Sequence, residues 1–397
     1  MSKDILSESL WPEVKKALLE GDDLAGSKNE YKRKVMGTLL ENTRVALKEN
    51  AALTSTTAGN VATLNKVILP VIRRVMPTVI CNEIIGVQPM TGPVGQISTL
   101  RVRYAETAGS PNPITAGSEA LSPFDIARFY SGNQNSANPA AADTSFLEGQ
   151  VGKRLNIQVV KETVEAKTRR LSAQWTFEAA QDAQSQYGLD LEAEVMGALA
   201  QEITAEIDQE ILFQLRQLPG SPTVTFDQNQ LTGVATFVGD EHAALASLIN
   251  RQANLIAQRT RRGAGNWVVV SNAALTVLQS ARTSAFARTT EGTFEAPTNT
   301  KFVGTLNNTM RVYVDSYASD SEVVLVGYKG NDTDAAAYFC PYIPLMSTGV
   351  VIDPSTFQPT TGFMTRYGYL ELTNTSSSFG NAADYVGAIG VANLRFA

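Results

Sequence analysis

Residues 155–218 read LNIQVVKETVEAKTRRLSAQWTFEAAQDAQSQYGLDLEAEVMGALAQEITAEIDQEILFQLRQL, and the period of their apolar pattern changes along the way. From Leu155 to Trp175 the period is two. Val160, Glu162, Val164, Ala166 and Thr168 fall on one side of an extended chain, and Lys161, Thr163, Glu165, Lys167 and Arg169 on the other. The alternation resumes one step out of phase at Leu171, Ala173, Trp175 and Phe177. That shift predicts a β-bulge at Arg169–Arg170, which bends a strand and increases its twist. Thr176 is suited to cap a helix ending at Gly188, with Glu178 in its first turn. A second helix covers 189–218, opened by Asp190, Glu192 and Glu194 and stopped by Pro219–Gly220. Its apolar positions, Leu191, Val195, Leu199, Ile203, Ile207, Ile211 and Leu215, are all four apart, widened by Met196, Leu212 and Leu218. Four residues overshoot a turn of about 3.6 by roughly 40°, so the stripe winds round a helix roughly 40 Å long and needs different partners along it.

Upstream, Leu100, Val102 and Tyr104 alternate with Arg101 and Arg103, the pattern of a strand able to pair with this stretch. Residues 105–154, between the two strands, are rich in Gly, Ser, Asn, Pro and Ala. Ordering them costs roughly 1–2 kcal/mol per residue in backbone entropy. Their few apolar groups (Ile114, Leu121, Phe124, Ile126, Phe129, Tyr130 and Phe146) do not offset that alone. The segment is either disordered or laid on another subunit, and the long two-stranded base favours the second. Residues 50–66 read as a polar linker, and 67–86 as apolar sequence with Pro70 opening and Pro77 ending a short helix. Arg73 and Arg74 are too few for a basic patch and suit ion pairs at a subunit contact.

The first 50 residues hold nine Lys/Arg and nine Asp/Glu, whereas the other 347 hold 24 and 30, so charge density at the start is about twice that of the rest. Two amphipathic helices can be drawn there, one on Leu6, Leu10, Val14 and Leu18, the other on Tyr31, Val35 and Leu39 with Met36 and Leu40. A hairpin packed on the body and a detachable assembly segment both fit. Over the whole chain hydrophobic residues reach 43% but charged ones only 18%, and mean hydropathy is −0.09. The surface is therefore rich in uncharged polar groups, as where subunits meet. A net charge of −6 argues against a general nucleic-acid binder. Cys81 and Cys340 fit no metal or redox spacing and read as buried thiols. The opening residues do not read as a signal peptide, and no run of about 18 apolar residues marks a membrane span.

Downstream, a helix begins near Gly239 on Ala243, Leu245, Leu248, Ile249, Leu255 and Ile256. It ends in Arg259, Arg261 and Arg262, read as cations at a helix C-terminus with Gly263 as cap. A buried strand at 267–270, a helix at 271–282, a polar loop at 283–301 and strands at 310–314 and 323–326 follow. Strands around 337–340, 363–373 and 385–396 close the chain. Chemistry is not indicated. His242 reads as a polar face residue, and Asp190, Glu192, Glu194, Glu202, Glu206 and Asp208 read as a solvated acidic helix face without the histidines of a carboxylate metal site. No phosphate loop, nucleophile elbow or zinc motif occurs. No catalytic, cofactor or metal residue is assigned, and the chain is not read as an enzyme.

Five collinear segments resemble the major capsid proteins of T-even-like contractile-tailed phages. They are LPVIRRVMPTVICNEIIGVQPMTGPVGQISTLRVRY (69–104), VEAKTRRLSAQWTFEAAQDAQSQYGLDLEAE (164–194), RTRRGAGNWVVVS (259–271), RVYVDSYASDSEVVLVGYKGNDTDAAAYFCPYIPL (311–345) and FQPTTGFMTRYG (357–368). The resemblance implies an α+β Hong Kong-type phage capsid fold. Its parts would be a charged segment at 1–50 (a propeptide or a retained arm), an N-arm at 51–88 and an extended E-loop at 89–170. A peripheral (P) domain with the spine helix would occupy 171–238, an axial (A) domain 239–335, and strands returning to the P domain 336–397. It also implies hexameric capsomers, with or without pentamers of the same chain, tiling an icosahedral or elongated head around double-stranded DNA bound without sequence specificity. The implied partners are a scaffold, a portal, vertex or decoration proteins, and a maturation protease cutting after Glu49. The virion is the implied location, with assembly in the host cytoplasm and no membrane. Against the family pattern, 105–154 is too short for an extra folded insertion, and 370–397 runs on differently. A cellular nanocompartment shell of the same fold is the competing reading.

Overall fold

The computed structural model describes residues 30–53, 80–107, 115–118, 120, 130–131, 141, 144–148, 152–187, 191–222, 224–228, 238–260, 262–281, 286–288, 300–332, 334–347, 349–353, 356, 358–371 and 382–394, with Pro12 and Lys16. In chain order the helices are α1 (Glu30–Leu53), α2 (Cys81–Ile84), α3 (Thr144–Leu147), α4 (Phe177–Tyr187), α5 (Leu191–Gln217), α6 (Val238–Thr260), α7 (Asn272–Ser280) and α8 (Ala382–Tyr385). The strands are β1 (Gly86–Val87), β2 (Val94–Tyr104), β3 (Leu155–Glu165), β4 (Lys167–Gln174), β5 (Val224–Asp227), β6 (Trp267–Ser271), β7 (Phe286–Arg288), β8 (Thr300–Leu306), β9 (Met310–Asp315), β10 (Val324–Gly327), β11 (Ala337–Ser347), β12 (Val351–Ile352), β13 (Pro359–Glu371) and β14 (Val386–Ala392).

The spine helix α5 runs 27 residues and buries two adjacent rows. Leu199, Ile203, Ile207, Ile211 and Leu215 are the expected stripe; Met196, Ala200, Thr204, Asp208 and Leu212 form the second. Thr204 is tolerated there because its hydroxyl donates to the Ala200 carbonyl one turn back. The stripe lies in one core cluster with side chains from α1 (Met36, Leu39, Leu40), from a five-stranded sheet (Leu345, Phe363) and from a seven-stranded sheet (Trp267, Val269, Tyr313, Leu325). The helix start before it is as expected: the Ala179 N–H donates to Thr176 Oγ1 at 3.2 Å, and α4 begins at Phe177.

The seven-stranded sheet has the order β5-β14-β10-β6-β9-β8-β7, and its central strands β14, β10 and β6 are buried on both faces. Trp267 and Val269 turn toward the spine, whereas Val268, Val270, Val312, Val314, Val324 and Val326 join Leu245, Ile249 and Ile256 of α6 and Val277 of α7 in a second cluster. Burial on both sides explains why WVVVS is apolar without alternation. Ser271 ends β6 and caps α7 through the Ala274 N–H. In the other sheet the order is β1-β11-β13-β12, with β4 also on β13. β2 and β3 form a separate two-stranded ribbon.

Several expectations are corrected. No bulge lies at Arg169–Arg170: β4 pairs with β13 in unbroken register from Lys167↔Tyr367 to Gln174↔Thr360. The break lies at Ala166, between β3 and β4, whose N–H makes the last bond of the ribbon, to the Pro93 carbonyl opposite it. The ribbon therefore ends at Glu165, and 167–170 belong to the five-stranded sheet rather than the E-loop range. Residues 224–227 and 386–392, expected with the spine-helix unit, pair in the seven-stranded sheet, β14 lying between β5 and β10. The polar loop expected at 283–301 contains β7 and the start of β8. Leu6, Leu10, Val14 and Leu18, on which the first helix was expected, and Pro70 with Arg73 and Arg74 lie outside the described residues.

Gly327 fits only as glycine, since a Cβ there would come within 2.0 Å of the Trp267 ring, whereas one at Gly197, on the exposed side of α5, would meet nothing within 4 Å. In urea unfolding of unassembled subunits, Gly327→Ala should cost about 1–3 kcal/mol by overpacking. Gly197→Ala should add up to about 1 kcal/mol by helix propensity.

Candidate functional site

The ribbon and the joint at its root are the features of this chain not explained by packing a core. β2 and β3 pair from Val94↔Glu165 at the root to Tyr104↔Leu155 at the tip. Partners opposite each other share a face, and the apolar positions change face along the ribbon. At the root, Val164 is buried with Met90, Tyr338 and Cys340, and Ile97 and Ala166 pack on them. Gly368 makes room: a Cβ there would lie 2.3 Å from Val164 Cγ1. Burial pushes the Cys340 thiol up to about 12, so it stays protonated and inert. The side chain of Cys81 lies outside the described residues. Toward the tip the apolar residues stand on the opposite face: Leu155, Ile157 and Val159 are 50, 71 and 56% exposed.

The tip is tied by its own loop. The Ala120 N–H donates to the Val102 carbonyl, the Tyr104 N–H to the Ser118 carbonyl, and the Tyr130 hydroxyl to the Arg154 carbonyl. The Tyr104 and Tyr130 rings pack at a tilt of 56°, with centroids 4.5 Å apart. Of the described parts of 105–154, Gly117, Ser118, Ala120 and Tyr130 are thus held against the strand ends.

At the root, polar ties fasten the surrounding elements to the spine. Arg169 of β4 reaches Glu206 and Glu210 of α5, each at 2.6 Å, and its Nε donates to the Tyr367 hydroxyl, which in turn donates to Glu210. Burial alone would raise Glu210; the Tyr367 hydroxyl and Arg169 outweigh it and hold the carboxyl below its usual range. Arg216 and Gln209 of α5 both donate to the fully buried Asp315 at the end of β9, each at 2.8 Å. Asp208 is also fully buried, which removes it from the solvated acidic face expected of it; Glu194 and Glu202 do lie exposed. Asp208 Oδ1 accepts the Ile80 N–H at 3.0 Å, and its Oδ2 has no hydrogen-bond partner among the described residues. Burial, and secondarily Asp315, push this carboxyl up to about 7 against the Ile80 bond. Nearby, Glu83 pairs with Arg311 at 2.8 Å and Lys329 donates to the Asn82 carbonyl, so α2 is pinned to the seven-stranded sheet.

The residues weighed for chemistry sit elsewhere. His242 is buried rather than on a polar face, its Nδ1 2.6 Å from Ser280 Oγ. Ser280 Oγ also lies 3.1 Å from the Val277 carbonyl, so the pair is held within the α6–α7 packing. Arg262 pairs with Asp334, which also accepts from the Tyr385 hydroxyl. Gly263 is not a left-handed cap; a Cβ there would lie 2.6 Å from the Tyr328 ring. Arg261 lies outside the described residues.

The family described as Major capsid protein Gp23 matches residues 61–391. The chain belongs to that family. It is 28% identical over 400 residues to the major capsid protein of Enterobacteria phage T4, covering 79% of this chain and 76% of that protein. With the major capsid protein of Escherichia phage AR1 the identity is 30%, again over 79% and 76%. With that of Vibrio phage KVP40 it is 28%, over 84% and 82%. Among solved structures, a chain of Mycobacterium phage Cain aligns over 78% of this chain and 89% of its own, at 10% identity and a TM-score of 0.44. One from the capsid of Myoviridae phage XM1 aligns over 77% and 90%, at 12% identity and a TM-score of 0.41. This family member is thus a shell-forming protein of a phage capsid, located in the virion, and the nanocompartment alternative falls away. Asp208, Tyr367 and Asn42 (below) escaped the reading of the sequence. Only Asp208 left a signal, its place in the row Met196, Ala200, Thr204, Asp208, Leu212.

Because Asp208 binds its proton more tightly folded than unfolded, its contribution is lost as pH rises from about 4 to about 7, at up to about 1.4 kcal/mol per unit. Asp208→Asn keeps the acceptor for Ile80 and removes the titration. Its stability should therefore fall less than that of the natural chain between pH 5 and pH 7.5, as read by urea unfolding at both values.

Proposed function

We propose that the ribbon is the assembly element of this capsid subunit, laid on a neighbouring copy in a hexameric capsomer, with pentamers of the same chain at the vertices. The observation that carries this reading is the exposed apolar row Leu155, Ile157 and Val159 on a ribbon whose own body covers only the root. An apolar face of that kind is stable in a shell when another subunit buries it. In this reading 51–88 act as the N-arm, the ribbon through Glu165 as the E-loop, the five-stranded sheet with the spine helix as the P domain, and the seven-stranded sheet with α6 and α7 as the A domain toward the capsomer centre. The subunit does mechanical work and is not an enzyme. It assembles in the host cytoplasm with a scaffold and a portal, encloses double-stranded DNA without sequence-specific binding, and accepts vertex or decoration proteins. A net charge of −6 suits confinement rather than gripping of DNA.

Deletion of residues 107–152 should leave a folded subunit that does not form stable shells; normal particles by electron microscopy would refute the ribbon's role. The triple change Leu155, Ile157 and Val159 to Ser should have the same effect with no loss of the subunit's thermal transition. A maturation protease acting after Glu49 would leave a virion subunit that begins at Asn50. Intact mass of the subunit from virions reads this directly, and a full-length mass rejects it.

A further inference from the structure

The root of the ribbon carries a contact that neither the fold nor the proposed docking requires. Met90 closes the root cluster: its sulfur packs where a Cβ on Gly95 of β2 would lie 3.1 Å away, and it shares the cluster with Val164 of β3. Its N–H donates to the Pro341 carbonyl of β11 at 3.0 Å. Immediately after Pro341 the β11·β13 ladder slips between Pro341 and Ile343, and Tyr342 falls out of register. The Tyr342 carbonyl and the Met90 carbonyl are both taken by a side chain from far upstream. Asn42 Nδ2 of α1 donates to Met90 O at 2.9 Å and to Tyr342 O at 3.0 Å. A primary amide has two N–H groups, and here each finds one of the two carbonyls. On either side of Asn42, Leu39, Leu40 and Thr43 are buried at 0–1% exposure, so the amide is delivered by a helix seated in the core.

We infer that α1 is a strut that sets the ribbon, with Asn42 coupling the first 53 residues to the ribbon root through the Met90 and Tyr342 carbonyls. The root is then a helix-binding socket whose occupant is a segment of this same chain. While α1 is seated, Met90 is held at its N–H, its carbonyl and its side chain, and the ribbon leaves the body at one angle. When α1 leaves, two main-chain acceptors and an apolar trough open together at the place from which the ribbon pivots. This goes beyond the docking role proposed above. Its link to processing rests on the proposed cut after Glu49, a position inside α1, which would remove the residues that fill the socket.

Asn42→Leu in the full-length chain tests the coupling without any cleavage, read by hydrogen exchange. The amides of Gln88, Met90 and Ala166, all bonded at the root, should exchange about tenfold faster or more, while those of β6, β9 and β10 change by less than about twofold. Faster exchange confined to α1, or an equal rise in both sheets, would overturn the inference. Should the variant not fold, native-state exchange of the natural chain in rising urea decides it. The α1 amides and those of Met90 and Ala166 should open together, ahead of the seven-stranded sheet; α1 opening alone, with the root still protected, counts against the strut.

Discussion

A stripe that winds round a helix cannot be buried by one flat partner, and that constraint organises this subunit. The spine helix has its apolar residues four apart, so its buried side turns steadily along the axis. α1 and the two sheets each contribute side chains to the cluster that holds it. Because all of them share that cluster, two sheets with different topologies behave as one body. The polar ties are placed where the apolar cover meets its edges: Arg169 to Glu206 and Glu210 on one sheet, Arg216 and Gln209 to Asp315 on the other. The partly exposed pairs of Arg169 add little stability individually, whereas loss of a donor to buried Asp315 would leave an uncompensated charge. The effect of both sets is directional, since each fixes a strand against one turn of the helix.

Asp208 stands out within this scheme. Asp315 is buried with donors from Gln209, Arg216 and the Tyr317 backbone, whereas Asp208 receives the Ile80 N–H alone. A carboxyl in that position is most comfortable carrying its proton. Ile80 directly precedes α2, so the bond to this buried carboxyl also positions the segment leading to β1 and the ribbon.

How far the sequence could be read depended on whether the deciding interactions were local. The helices α4 and α5, the cap at Thr176, the β2·β3 pairing and the strand–helix succession from 267 to 280 were all legible, because each rests on periodicity or on a cap a few residues away. The phase change between β3 and β4 was visible too, but its position was not: both Lys167 and Thr168 face solvent, so the alternation restarts there, three residues before the eye catches it in the apolar residues. The seating of β14 between β5 and β10 is a long-range pairing with no local trace. β7 and β8 were hidden in a polar stretch because they are held by backbone pairing out to β9, which leaves no apolar pattern in their own sequence. Of the candidate site, the ribbon was legible and the socket was not, since nothing in ENTR distinguishes an asparagine that bonds two distant carbonyls from one on a helix surface.

The change of apolar face along the ribbon has a consequence for symmetry. A projecting ribbon and a surface that would cover it are chemically unlike. Two copies could exchange such ribbons across a two-fold axis, or the contact could repeat head to tail, ending only when the rotation between successive copies brings the last back to the first. The angle at which the ribbon leaves Ala166 would then decide how many copies complete the ring.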